Sequence, residues 1–336
     1  MAYRGPLSGI RMLSGVLPAF LLTALLLAAC DSKHATAAIP TITYAMPITV
    51  AAIPAYVAAD KGFWAQEGLN VKTPMFSSGR LGLDALLSGS AEVMSVSETP
   101  LIHAIQQGHS IYIVATVTRH RETKFIGRRD HGINGADDLK GKTLATLPGT
   151  NSDYFMYKFL QAHHIGKSDV RIVALQPPDM VSALVRGDID GYFAWEPHIY
   201  YAQQQLGANA IVIGPDDLYR GRHCVAMNQD FVLKHPDIVV KLLKGLVKAE
   251  DYVHAHPDEA KAIVAKYTHT NRAAIDALWP EYDVRVELRQ ELLDILAAEG
   301  QWAATQGTSK VPVPNFKSYI YTVGLSTVRP DTVTIQ

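Results

Sequence analysis

From residue 41 onward the chain alternates short, nearly continuous apolar runs with stretches whose apolar positions recur at helical spacing. The first kind reads as buried strands, the second as helices packed by one face. Thr41–Met46 predicts a strand, Ala55–Gln66 a helix stopping near Gly68, and Asn70–Met75 a strand. Leu81–Leu87 predicts a short helix ending at Gly89, Val93–Val96 a strand, Pro100–Gln107 a helix ending at Gly108, and Ile111–Val117 a continuous apolar strand. After a polar loop, Arg128–Asp138, a second series follows. Its strands are Thr143–Thr146, Val170–Ala174, Gly191–Ala194 and Ala210–Ile213, and its helices are Asp153–His163, Met180–Val185 and Pro197–Gln205. Such alternation implies an α/β protein with two mostly parallel sheets, each flanked by helices. The last third reads as helical. Val239, Leu242, Leu243, Leu246 and Val253 form one apolar stripe, and Val286, Leu288, Leu292, Ile295 and Leu296 another. Both stripes are core surfaces.

The first thirty residues follow a different pattern. Arg4 and Arg11 precede an apolar run, Leu13 to Ala29, which ends Leu27-Ala28-Ala29-Cys30. A basic start, an apolar segment and small residues predict a secretory signal over 1–29. The final four residues resemble the bacterial lipobox, in which the cysteine becomes the lipidated first residue. The alternative is an uncleaved membrane anchor of similar length. With cleavage, residues 30–40 form a small, polar tether and 307 of the 336 residues remain. The charge changes with it. The whole chain has 31 basic and 32 acidic side chains, and losing two arginines takes the formal charge from −1 to −3. Neither value supports nucleic-acid binding driven by phosphate neutralisation. A lipidated Cys30 cannot pair, so Cys224 is expected as a lone thiol buried in a strand.

Signatures of catalysis are missing from the sequence. It has no Gly-x-Ser-x-Gly elbow, no Gly-x4-Gly-Lys-Ser/Thr phosphate loop and no His-Glu-x-x-His. Asp188-Ile189-Asp190-Gly191 opens like a calcium loop but lacks its remaining acidic ligands and reads as a turn before a strand. No catalytic residue, metal site or cofactor is expected. The informative positions are strand-to-helix turns: Ser77-Ser78-Gly79-Arg80, Ser97-Glu98-Thr99-Pro100 and Gly149-Thr150-Asn151-Ser152. Helix N-termini carry unpaired N–H groups and partial positive charge, and such turns lie at the carboxyl ends of strands, where ligands of open α/β sheets bind. Ordinary helix capping is the competing reading of each. Arg80 can grip an oxoanion with two N–H groups. Trp195 can form an aromatic wall and Glu196 can meet an amine, against core packing and helix-dipole roles for the same residues. Tyr154 is a further candidate, again against core packing.

Several of these stretches, in order, resemble substrate-binding proteins of nitrate, sulfonate and taurine ABC importers. They are Tyr56-Val57-Ala58-Ala59-Asp60-Lys61-Gly62-Phe63-Trp64 with Glu67-Gly68-Leu69-Asn70-Val71, then Ser78-Gly79-Arg80, Ser97-Glu98-Thr99-Pro100, Ala136-Asp137-Asp138-Leu139-Lys140-Gly141-Lys142, Gly149-Thr150-Asn151 and Ala194-Trp195-Glu196-Pro197-His198. The resemblance implies a two-lobed periplasmic-binding fold of type II. Lobe one would comprise 41–125 and 226–336 and lobe two 126–225, with crossings near Phe125–Arg128 and His223–Met227. It further implies a monomer that closes on a small anionic or zwitterionic solute and delivers it to an ABC permease with its ATPase. The ligand set would be Ser78, Gly79, Arg80, Ser97, Glu98, Thr99, Thr150, Asn151, Tyr154, Trp195 and Glu196. The protein would sit at the periplasmic face of the inner membrane, anchored by the lipid on Cys30. One branch of this superfamily makes the thiamine pyrimidine with a cysteine-rich segment that this sequence lacks. Binding or synthesis of such a precursor, or periplasmic ligand sensing, are the alternatives.

Overall fold

Two sheets organise the chain in the computed structural model, which describes residues 1–2, 39–306 and 312–335. Cys30, the signal segment 1–29 and tether residues 30–38 are outside that description, apart from residues 1–2. Among the described residues no helix is long and apolar enough to cross a membrane. The chain first lays down β1 (Thr41–Pro47), α1 (Ile53–Asp60), α2 (Phe63–Gln66), β2 (Asn70–Lys72), β3 (Met75–Phe76), α3 (Gly79–Leu87), β4 (Val93–Ser97), α4 (Glu98–Gln106) and β5 (Ile111–His120). It then builds β6 (Lys124–Arg128), β7 (Thr143–Thr146), α5 (Asn151–Ala162), β8 (Arg171–Ala174), α6 (Pro177–Arg186), β9 (Gly191–Ala194), α7 (His198–Leu206) and β10 (Ala210–Ile213). The return comprises β11 (Gly221–Asn228), α8 (Gln229–Lys234), α9 (Pro236–Ala255), α10 (Pro257–Thr268), α11 (Arg272–Leu278), β12 (Tyr282–Glu287), α12 (Gln290–Gln306) and α13 (Thr322–Val328).

The larger sheet has seven strands in the order β12-β5-β11-β4-β1-β2, with β3 also on β1. The smaller has five, β10-β6-β9-β7-β8. In the larger sheet β1 to β5 run one way and β11 and β12 run against them. In the smaller sheet only β6 is reversed. Both sheets are therefore mostly parallel, as the alternating pattern predicts.

Several details differ from the sequence reading. The helix expected over Ala55–Gln66 is two helices, because Gly62 turns left-handed between them at φ +67°. Val286 belongs to strand β12, not to a helical stripe. Tyr282, Val284 and Val286 are buried while Asp283 and Arg285 are exposed, which is the period of a strand. Residues 223–227, expected at a crossing, lie inside β11, and 125–128 lie inside β6. The connections between the sheets are residues 121–123 and 214–220. The lone thiol of Cys224 is buried in β11, as expected.

Packing fixes the helix ends that matter below. In the smaller half, Phe155 and Phe159 of α5 pack on Phe193 of β9 at 5.8 and 5.4 Å between ring centroids, and Phe125 of β6 stands 5.0 Å from the same ring. This cluster seats α5 on its sheet. In the larger half, α9 lies against α2. Trp64 Nε1 donates to Leu242 O at 3.1 Å. A Cβ on Gly245 would come within 2.2 Å of the Trp64 ring, so glycine is required for that approach.

Candidate functional site

A narrow cleft of about 30 Å³ opens between the two sheets at the carboxyl ends of their parallel strands. From the larger half it takes Pro47 at the end of β1 and Thr49 beyond it, Gly79 and Arg80 at the start of α3, and Ser97 at the end of β4. Glu122, on the first connection, and His223 of β11 complete that wall. From the smaller half come Thr150 and Asn151 at the start of α5 and Trp195 after β9. These are the positions where strand order and helix N-termini converge in open α/β sheets.

Six of the residues singled out from sequence meet here: Gly79, Arg80, Ser97, Thr150, Asn151 and Trp195. Gly79 is there because a Cβ would stand 2.4 Å from Val96 Cγ2, so glycine lets α3 start directly on β4. Arg80 is exposed, and its Nη1 donates across the cleft to Pro148 O at 2.7 Å. Ser97 precedes α4 without making a side-chain cap bond. Thr150 Oγ1 donates to Leu147 O at 2.7 Å, and Asn151 Nδ2 donates to Thr123 Oγ1 at 2.8 Å, tying α5 to the first connection. The first turns of α3 and α5 keep N–H groups with no partner inside their helices. Trp195 is 6% exposed and meets His198 edge to face.

The other five expected ligand residues do not line the cleft. Ser78 is buried and caps α3, accepting from Leu81 N at 3.4 Å. Glu98 turns inward and accepts from Tyr219 Oη at 2.7 Å and Arg222 N at 2.9 Å. Thr99 Oγ1 donates to Glu299 Oε2 at 2.6 Å. Tyr154 packs edge to face on Trp302 and Tyr219, so its core role prevails. Glu196 accepts from Lys124 Nζ at 3.0 Å and from Tyr200 N at 2.9 Å. For Ser78, Glu98, Thr99 and Glu196 a helix cap or an internal partner takes the polar atom that the ligand would have used, and for Tyr154 the ring is packed among aromatics.

Sequence reasoning missed Thr49, Glu122 and His223. Thr49 lies two residues past the end of β1, close to a strand end that the sequence carried. Glu122 sits in the run Arg119-His120-Arg121-Glu122-Thr123, which looks like a solvated loop but is folded inward. Glu122 accepts from Thr49 Oγ1 at 3.1 Å and from Tyr282 Oη at 2.7 Å. Burial pushes its carboxyl up to about 8, against those two hydrogen bonds and helped by the charges of Glu196 and Glu281. Burial opposes the Lys124 ammonium, but Glu196 and Glu281 outweigh it and hold its pKa above the ordinary lysine value. His223 is buried without a hydrogen-bond partner on either ring nitrogen, and burial pushes it down to about 3. It is therefore a neutral imidazole. Among the described residues no cluster of His, Cys, Asp or Glu has the arrangement of a metal site.

The chain resembles proteins of known kind in both sequence and fold. A Bacillus subtilis (strain 168) protein named for binding aliphatic sulfonates is 26% identical over 263 residues, 76% of this chain and 78% of that one. The taurine-binding periplasmic protein of Escherichia coli (strain K12) is 29% identical over 233 residues, 64% of this chain and 68% of its own. Among solved structures, the periplasmic aliphatic sulphonate binding protein SsuA from Escherichia coli matches with a TM-score of 0.72 at 18% identity, covering 84% of this chain and 97% of that one. The desulfurization enzyme DSZB matches with a TM-score of 0.66 at 15% identity, covering 87% and 99%. At such identities the structural likeness is one of fold, and a binding protein and an enzyme share it. The sequence model of the NMT1/THI5-like family matches residues 50–260, more than half of the chain, and the protein belongs to that family.

Proposed function

We propose that this protein is the substrate-binding component of an ABC importer, capturing a small anionic or zwitterionic solute of the sulfonate, taurine or nitrate kind. The observation that carries the reading is the placement of Arg80 and the first turns of α3 and α5 around one small cleft between two sheets. Unpaired N–H groups and a guanidinium suit an oxoanion, and Trp195 suits the apolar body of an alkyl sulfonate. The two halves, lobe one around the larger sheet and lobe two around the smaller, close on the ligand by rotating about residues 121–123 and 214–220. A ligand touching both halves favours the closed form because those contacts exist only there. The closed monomer then docks on a permease with its ATPase. Cys30 carries the lipid that holds the protein at the periplasmic face of the inner membrane.

The fold likeness to DSZB raises an enzymatic reading. Against it, Cys224 is buried in β11, its Sγ lies 3.7 Å from Arg222 O, and burial pushes its thiol well above the ordinary cysteine pKa. Such a thiol is a poor nucleophile. The test is a thermal-shift panel of ethanesulfonate, taurine, nitrate, bicarbonate and a thiamine pyrimidine. A ligand of the native state raises the melting point with concentration. A shift with sulfonates or nitrate is expected, and a response to the pyrimidine alone would replace this reading.

A further inference from the structure

The cleft has a second chemical end. Beside Thr49, Glu122 is 1% exposed and His223 is 1% exposed, and both face the cleft from the larger half. Glu122 accepts from two hydroxyls, yet among the described residues no lysine or arginine reaches it. The ion pair nearest it is with His120, whose Nδ1 is 3.8 Å away. His120 is itself held neutral by burial, with the Arg222 charge acting in the same direction. Close behind stand Glu196 and Glu281, which share a single ammonium, Lys124, at 3.0 and 2.5 Å. That ammonium is taken by Glu196 and Glu281 and makes no ion pair with Glu122. His223 adds two buried ring nitrogens with no partner. Buried polar atoms in native proteins are nearly always paired, so an orphaned pair on a cleft wall marks a place for a ligand atom or water.

We infer that Glu122, His223 and Thr49 form a subsite for a nitrogen cation of the ligand, so that the solute carries an ammonium or amidinium group at this end and an anion at the Arg80 end. A cation in contact favours the ionised form of the Glu122 carboxyl, which burial otherwise keeps protonated, and an N–H donor supplies the hydrogen bond that His223 lacks as an acceptor. The same wall discriminates against a simple anion, which would meet the excess of carboxyls. The inference deepens the proposed function, since the anionic end is taken from that reading.

Matched probes separate the two. Isothermal calorimetry on the purified full-length protein compares taurine with ethanesulfonate and β-alanine with propionate, each pair differing by one amine. Ethylammonium serves as an amine without an anion. Taurine is expected to bind at least tenfold more tightly than ethanesulfonate, and Glu122→Gln to reduce that ratio to about twofold or less. His223→Leu should lower taurine affinity as well. Equal affinity for taurine and ethanesulfonate in the unmodified protein overturns the cation subsite and leaves the transport reading standing. Failure of both sulfonates, with β-alanine or ethylammonium still binding in a Glu122-dependent way, overturns the sulfonate reading and supports the subsite. An amine preference that survives Glu122→Gln, or no binding of any probe, overturns the inference. The comparison within the unmodified protein needs no variant to fold.

Discussion

Glu98 and Glu122 each follow the end of a strand in the larger sheet, and both are sealed from bulk solvent. Glu98 begins α4 and is paired throughout: Tyr219 and the Arg222 amide donate to it, and Glu299 lies beside it. Burial raises both of those carboxyls, and two acids buried side by side cannot both ionise, so this pair is closed on itself. Glu122 has two hydroxyl donors and an open side toward the cleft. The same residue type at the same kind of position is structural in one case and available to a ligand in the other. What distinguishes them is the accounting of partners, since depth of burial is alike.

The comparison breaks most visibly through Glu98→Ala. It strands the Tyr219 hydroxyl and the Arg222 amide and leaves a void, so urea unfolding should show a loss of about 3 kcal/mol. A loss under about 1 kcal/mol would mean that Glu98 is not the internal acceptor described. Arg80→Ala should instead leave stability nearly unchanged, because the side chain is exposed, while lowering sulfonate affinity at least tenfold by calorimetry, given that charged hydrogen bonds contribute about 1.5–3 kcal/mol. Unchanged affinity removes Arg80 from the site.

The pH dependence is the next test. Glu122 keeps its proton in the folded state up to about 8, whereas the unfolded chain loses it near the ordinary value of 4.5. Between those values the folded state binds more protons, so its stability falls as pH rises, and the contribution is fully present only below the unfolded pKa. The Glu122 contribution to the urea midpoint should therefore decline from pH 5 to 8, against the opposite contribution of the buried histidines His120, His198 and His223 at the lower end. Glu122→Gln should flatten that decline partly, with Glu98 and Glu299 retaining their own share in the same direction. An unchanged slope would show that Glu122 ionises as it does in water. Last and smallest, Tyr154→Phe should change ligand affinity by less than about twofold, since its ring packs on Trp302 and Tyr219 and does not line the cleft.

Parts of this arrangement were legible because they are local. Thr143–Thr146, Gly191–Ala194 and Ala210–Ile213 read as strands and are strands, since short apolar runs between turns have little alternative. Gly79, Arg80, Thr150 and Trp195, which line the cleft, could be singled out because they occupy the turns where strands pass into helices. The rest depends on distant partners. β11 contains Arg222 and His223 and shows no clean period, and it is a strand because it pairs with β4 and β5 from far along the chain. Glu122 is drawn inward by Thr49 and by Tyr282, the latter 160 residues away. Glu98 and Thr99 have internal partners that were not legible, because nothing near them in sequence announces Tyr219 or Glu299.

In the closure proposed above, the two short spans that join the sheets, 121–123 and 214–220, serve as the pivot. When one body turns on another, a point on the axis travels almost no arc, while a point at the rim travels the most. Glu122 is on the first span, and the Arg80–Pro148 bond bridges the cleft from one half to the other. A solute's cation could therefore settle at the pivot while the jaws still stand apart, and the rim would engage afterwards. Arrival would be governed at the axis and residence time at the rim, so substitutions at Glu122 should act chiefly on the association rate and those at Arg80 chiefly on escape.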